Sequence, residues 1–210
     1  MLAAARQFAR SYFASARGSH AWDHTLRVCN LCDHIGRAER VDMVVLRMAA
    51  YLHDIARGRQ DDSNGRICHA REGARLAMGF LQRLPLKPDQ LDNVVHCIES
   101  HRFRSRVPPQ TPEAKVLFDA DKLDAIGAVG VARAFLFAGE IGARLHAPEI
   151  NLDDARPYTP NDTGYREYMV KLRKIRQRIL TTEGRRLAER RHRFMERFFN
   201  RFLDEYDGKR

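Results

Sequence analysis

No stretch of the 210-residue chain approaches the roughly 18 uninterrupted apolar residues of a membrane-crossing helix, so a transmembrane span is excluded. Cysteine is scarce: four in the whole chain, too few to build a disulfide scaffold. The first residues, Met1-Leu2-Ala3-Ala4-Ala5-Arg6, lack the basic stretch followed by an apolar run that marks a secretion signal, and the expected location is the cytoplasm, with reduced thiols. No apolar–polar alternation bounded by turn residues predicts a strand. Gly127, Gly130, Gly139 and Gly142 lie close together, but no strand precedes them and no Gly-Lys-Ser/Thr follows, which excludes a phosphate-binding loop. The Cys29-x-x-Cys32 pair has no second such pair and falls within a helical pattern, so buried thiols are expected rather than zinc or redox chemistry. Repeats and low-complexity tracts are also lacking.

What remains is an ordinary globular composition, 44% hydrophobic and 30% charged. The net charge of +10 is uneven: residues 166–210 hold 15 Lys/Arg against 7 Asp/Glu, while the rest of the chain is nearly balanced, 22 against 20. A basic segment can serve as a nucleic-acid or membrane surface. Here Tyr168, Leu172, Ile175, Ile179, Leu187, Phe194, Phe198 and Leu203 recur at mostly helical spacing and need an apolar surface to pack on. The segment therefore reads as a solvated helix face in preference to a nucleic-acid arm.

Helical periodicity covers segments near 2–16, 20–39, 42–56, 67–83, 88–101, 112–128, 130–145, 163–180 and 183–205. Asp42 is placed to cap the third, Thr111-Pro112-Glu113 puts a cap before a proline at a first helical position, and Pro85 and Pro88 divide the fourth from the fifth. Arg57–Gly65 reads as a polar loop, and Phe103–Gln110 and His146–Asp162 as the other long connections. The pattern predicts a single all-α domain over residues 1–210, with a core at about 18–130 and a docked basic helical extension at about 163–206.

One adjacent pair interrupts this apolar patterning. Leu46-Arg47-Met48-Ala49-Ala50-Tyr51-Leu52 is followed by His53-Asp54, an imidazole and a carboxylate at the end of a core helix. Burying both is costly unless each finds a partner, and one divalent metal ion beyond the helix end would satisfy both. His24 shares an inward face with Val28, Leu31 and Ile35, and Asp121 lies in register with Leu117, Asp124 and Ala125. Each is a polar ligand type on an apolar face.

His24, His53-Asp54 and Asp121 in this order resemble the H…HD…D signature of HD-domain metal-dependent phosphohydrolases. Further blocks are similar to one bacterial subgroup, of the YpgQ/YedJ type: Ser19-His20-Ala21-Trp22-Asp23-His24, His69-Ala70-Arg71-Glu72-Gly73-Ala74, Glu99-Ser100-His101-Arg102-Phe103, Asp119-Ala120-Asp121-Lys122-Leu123-Asp124, and Ala188-Glu189-Arg190-Arg191-His192-Arg193-Phe194-Met195. The resemblance implies an HD-domain helical bundle over residues 18–205. It implies His24, His53, Asp54 and Asp121 as ligands of one divalent metal ion, with Mn²⁺ favoured and Mg²⁺ or Fe²⁺ as alternatives. It further implies His69, Glu72 and Asp54 in catalysis, Lys122, His101 and Arg102 toward substrate phosphate, and Asp124 and His20 as groups that orient the ligands. Ala21 stands where relatives carry Asp, and Asp23 is the nearest substitute. The expected reaction is hydrolysis of nucleoside triphosphates to monophosphate and pyrophosphate. The expected partner is a small phosphorylated substrate, not a membrane or a nucleic acid. Two alternatives stay open: a phosphomonoesterase or phosphodiesterase on another small phosphorylated molecule, and a non-catalytic nucleic-acid-binding helical protein with a structural metal. His69, His96 and His101 could in principle supply a second ion.

Overall fold

The computed structural model describes residues 1–13, 22–63, 65–102, 107–152, 154 and 156–209. Among them there is no strand. The elements are α1 (Leu2–Ser11), α2 (Trp22–Glu39), α3 (Met43–Leu52), α4 (Arg57–Asp62), α5 (His69–Leu81), α6 (Pro88–Ser100), α7 (Pro112–Asp124), α8 (Gly127–Glu140), α9 (Gly164–Val170), a 3-10 segment (Leu172–Arg178) and α10 (Thr182–Tyr206). The chain forms two compact units: Met1–Asp121 with Leu180–Glu183, and Lys122–Ile179 with Gly184–Arg210. Among the described residues no helix is long and apolar enough to cross a membrane.

In the first unit α3 is the central helix, lying against α1, α2 and α6. Its sequence is apolar on almost every face, and Val45, Leu46, Met48, Ala49, Ala50 and Leu52 are all buried. The Asp42 carboxylate caps it as expected, accepting from Val44 N at 2.8 Å and Val45 N at 3.2 Å. Gly36 permits the close approach of α2: a Cβ there would stand 2.4 Å from Leu46 Cδ2. Thr111 Oγ1 caps α7 through Ala114 N at 3.2 Å, with Pro112 in the first turn. Asp119, fully buried on α7, accepts hydrogen bonds from Leu180 N, Thr181 N and Thr181 Oγ1.

The second unit is held by aromatic packing. Tyr168 stacks on Phe199 with centroids 4.2 Å apart, and Phe135 meets Phe199 and Phe202. The buried stripe of α10 is Gly184, Ala188, His192, Met195 and Phe199. Phe194, which the sequence pattern placed among the anchors, lies at the edge and is 36% exposed.

Three sequence-based boundaries are corrected. The expected polar loop Arg57–Gly65 begins with a short helix, α4, supported by an Arg57–Asp61 pair one turn apart at 3.4 Å. It has no apolar face, so periodicity had nothing to register. The helix expected over 163–180 breaks at Lys171 (φ −133°, ψ −59°) and continues as the 3-10 segment. The helix expected to reach residue 128 ends at Asp124, and α8 starts at Gly127, whose φ of +80° suits glycine.

Candidate active site

Six side chains from five stretches of the first unit converge. His24 sits in the first turn of α2, with its backbone N donating to Asp23 Oδ1 at 2.8 Å. His53 ends α3 and His101 ends α6, and both use one device: Nδ1 donates to the carbonyl three residues back, Ala50 O at 2.8 Å and Ile98 O at 2.6 Å. Those carbonyls lie in the last turn, where helix acceptors lack intrahelical partners. The bond satisfies them and fixes the tautomer, leaving Nε2 of the neutral ring as a lone pair. His69 opens α5, and its Nδ1 meets Gln60 Oε1 of α4 at 2.8 Å, which likewise turns Nε2 inward.

The inward atoms form two sets that share Asp54. His24 Nε2 lies 3.5 Å from His53 Nε2 and 3.3 Å from Asp121 Oδ1, and Asp54 Oδ2 is 3.7 Å from each imidazole. On the other side His69 Nε2 and His101 Nε2 are 3.1 Å apart, at 3.4 and 3.5 Å from Asp54 Oδ1. All but Asp121 are buried, and the Asp121 side chain is 20% exposed, so it marks the solvent side.

The electrostatics of Asp54, His53 and His69 favour the ligand form. Burial alone would raise the Asp54 carboxyl, but His53, His101, His69 and His24 outweigh it and hold it well below the usual carboxylate range. Burial lowers His53, and the Asp54 charge only partly offsets it. Burial also depresses His69, to about 3. The ionised Asp54 carboxylate and the neutral His53 and His69 rings thus face one another in a buried space. A divalent cation would satisfy such groups together. The donor chemistry, imidazole nitrogen with carboxylate oxygen, fits a divalent metal ion, and both triads, His24/His53/Asp121 and Asp54/His69/His101, have the compactness to hold one.

The four residues expected as ligands, His24, His53, Asp54 and Asp121, are therefore brought together, and His69 and His101 join them. Glu72 stands elsewhere: its carboxylate is gripped by Arg59 and by Arg75 at 2.8 Å, and the Arg75 hydrogen bond leads the causes that lower it to about 2. Arg102 Nη1 contacts Cys68 Sγ at 3.3 Å, and His96 Nε2 accepts from Gln110 N at 3.0 Å. Asp124 pairs with Arg133 at 2.7 Å within the second unit, where Lys122 is also buried. Asp23 binds Arg27 at 2.6 Å. His20, Ala21 and Phe103 lie outside the described residues. Cys29 and Cys32 are free, and burial pushes the Cys29 thiol up to about 12. Gln60 is the group the sequence reading missed. A glutamine in a polar run carries no pattern until the fold sets it against His69.

An all-helical fold with His and Asp ligands gathered from separate helix ends defines a metal-binding hydrolase of the HD class. The HD domain family model matches residues 21–126, and the chain belongs to that family. It is 31% identical over 207 residues to the protein YpgQ of Bacillus subtilis, covering 97% of this chain and 92% of that one. A crystal structure of Bacillus subtilis YpgQ in complex with ADP superposes with a TM-score of 0.75 at 31% identity, over 98% of this chain and 97% of the other. An HD-superfamily hydrolase from Bacillus thuringiensis gives 0.77 at 26% identity, over 98% and 96%. The protein is accordingly an HD-superfamily phosphohydrolase with a His/Asp cluster suited to a divalent metal.

Proposed function

We propose that this chain hydrolyses nucleoside triphosphates to the monophosphate and pyrophosphate, using Mn²⁺ held by His24, His53, Asp54 and Asp121. The observation that carries the reading is the gathering of buried imidazole nitrogens and carboxylate oxygens into two adjacent sets, with the Asp121 side chain 20% exposed on the solvent side. The ADP complex of the relative YpgQ supports a nucleotide as ligand. When bound, the ion supplies Lewis acidity and charge neutralisation at a phosphoryl group. The chain's own residues do the rest. Asp54, held ionised, and the imidazoles of His24 and His53 would hold the ion, against which the reacting phosphate would be placed. His53 and His101 are immobilised by their own helix ends, so little reorganisation accompanies reaction. Arg102, at the end of α6 beside His101, is assigned to phosphate charge.

The contact of His69 Nε2 with His101 Nε2 at 3.1 Å favours a second reading of those two residues. In that reading they and Asp54 Oδ1 would be ligands of a second ion, in place of the catalytic role expected for His69. The two readings differ in metal content. A Gln60→Leu variant removes the acceptor that orients His69. It is expected to weaken divalent binding at that set roughly tenfold while leaving the His24/His53/Asp121 set intact, as titration calorimetry with Mn²⁺ would report. One ion per chain in the wild-type protein, unaffected by Gln60→Leu, restores the single-ion reading.

Product-resolved turnover of a nucleotide panel with Mn²⁺ tests the activity. Pyrophosphate is the expected product, and it should vanish in a His53→Ala/Asp54→Ala double variant. Free phosphate or a cleaved diester in its place would select the other phosphoesterase readings.

A further inference from the structure

The second unit contains a cavity of about 590 Å³ between α9, the 3-10 segment and α10, and none of its lining residues belongs to the His/Asp cluster. Its volume lies within the range of small-molecule sites, roughly 300–1,000 Å³. We propose that this cavity is a nucleotide-binding site separate from the catalytic cluster, taking a nucleoside diphosphate or a close analogue.

The lining divides into three kinds of chemistry. Tyr165, half-buried, supplies the aromatic surface left open to the cavity, and the stacked, buried Tyr168–Phe199 pair forms the rigid apolar floor behind it. A planar base gains both burial and stacking on such a surface. Arg173, Arg193 and Arg197 supply positive charge. Among the described residues neither Arg173 nor Arg197 has a carboxylate within ion-pair distance, and the guanidinium of Arg173 rests only on Met169 Sδ at 3.5 Å. Arg193 stands 3.4 Å from Glu189, which already binds Arg176 at 3.1 Å. The cations at this cavity thus exceed their local anions, and guanidinium groups match phosphate oxygens in geometry.

The third kind is a fixed acceptor. The Glu196 carboxylate is steadied by His192 Nε2 at 3.1 Å, and Asn200 adds an amide one turn further along α10. A ribose hydroxyl or an exocyclic amine is the natural partner for such groups. Glu196 also favours a ligand with hydrogen-bond donors over a bare polyphosphate, which would leave this acceptor unused. Platform, acceptor and cations together fit a base, a sugar and phosphate on one molecule. The inference stands apart from the proposed reaction, because it uses no residue of the cluster.

Titration calorimetry on the full chain in EDTA separates the two sites, since phosphate binding at the cluster depends on metal. ADP, adenosine and pyrophosphate are the probes. The expected result is one ADP per chain without metal, bound at least tenfold tighter than adenosine or pyrophosphate. An Arg173→Ala/Arg197→Ala variant should lose at least tenfold in ADP affinity, a single Arg197→Glu should fall in the same direction, and Asp54→Asn should change nothing. Both arginines are exposed, so the variants retain the core, and an unchanged thermal midpoint verifies this. ADP binding that needs metal, or that survives the arginine changes, overturns the proposal and leaves the catalytic reading standing. Pyrophosphate binding as tight as ADP overturns the nucleotide assignment, because the aromatic platform would then contribute nothing.

Discussion

Replacing Asp54 with Ala is expected to lower turnover by at least a thousandfold and to abolish stabilisation by divalent metal. Its two oxygens face different histidine pairs, Oδ2 toward His24 and His53 and Oδ1 toward His69 and His101. It therefore faces both sets. Removing a single electrostatic donor at a reacting oxygen costs about 10²–10³ in rate, and loss of the ligand common to both sets, which would cost the ion's charge neutralisation, is expected to exceed that. The thermal effect has a scale too. A ligand that binds only the folded chain stabilises it by about 2.7 kcal/mol at a hundredfold excess over its dissociation constant. Wild-type protein should therefore show a midpoint that climbs with Mn²⁺, while the variant's stays flat. His69→Ala provides the contrast. Under the two-ion reading it loses one ion and keeps the other, whereas Asp54→Ala impairs both. A variant that still melts higher with Mn²⁺ and still turns over would remove Asp54 from the centre of the mechanism.

The residues of that cluster differ in how openly the sequence displays them. His53-Asp54 is conspicuous because it breaks an apolar helix, and His24 because it shares a face with Val28 and Ile35. Periodicity exposes a polar group that sits where an apolar one belongs. His69 and His101 lie at helix ends, where polar residues are common, so spacing alone could not assign them to the same point in space. Their convergence is a tertiary fact. Gln60 is hidden further still, in α4, whose run Arg-Gly-Arg-Gln-Asp-Asp has no apolar residue to set a period. The break at Lys171 was equally unreadable, since Tyr168 before it and Leu172 and Ile175 after it all remain buried across the change from α to 3-10 geometry. The stripe on α10 failed by a small rotation. Phe194 looked like an anchor because of its size, yet smaller Ala188 and Gly184 mark the face that is buried. Burial along that helix follows how closely the chain can approach, and bulk alone misplaces it.

Asp119 carries the second large effect, and its role is stability. The carboxylate is fully buried and accepts from Leu180 N at 2.9 Å, Thr181 N at 2.7 Å and Thr181 Oγ1 at 2.6 Å, tying the segment Leu180–Glu183 to α7 within the first unit. Two of these donors are backbone N–H groups just ahead of α10, which starts at Thr182. Truncation to Ala leaves the buried Thr181 N and Oγ1 donors without this acceptor, at a cost of about 1–3 kcal/mol each, so a loss of roughly 3 kcal/mol is expected. Asp119→Asn keeps the shape and one acceptor oxygen but turns an amide donor toward a donor, and its loss should fall between wild type and Ala. Trp22 is the single tryptophan and belongs to the first unit, packed against Phe13 and Tyr51. Its fluorescence therefore reports urea unfolding of the unit that contains Asp119. The order of midpoints expected is wild type, then Asn, then Ala. Equal midpoints for all three would mean that the segment finds other acceptors and that Asp119 belongs functionally with its neighbour Asp121, a distinction the metal titration of the same variants would register as lost binding at unchanged stability.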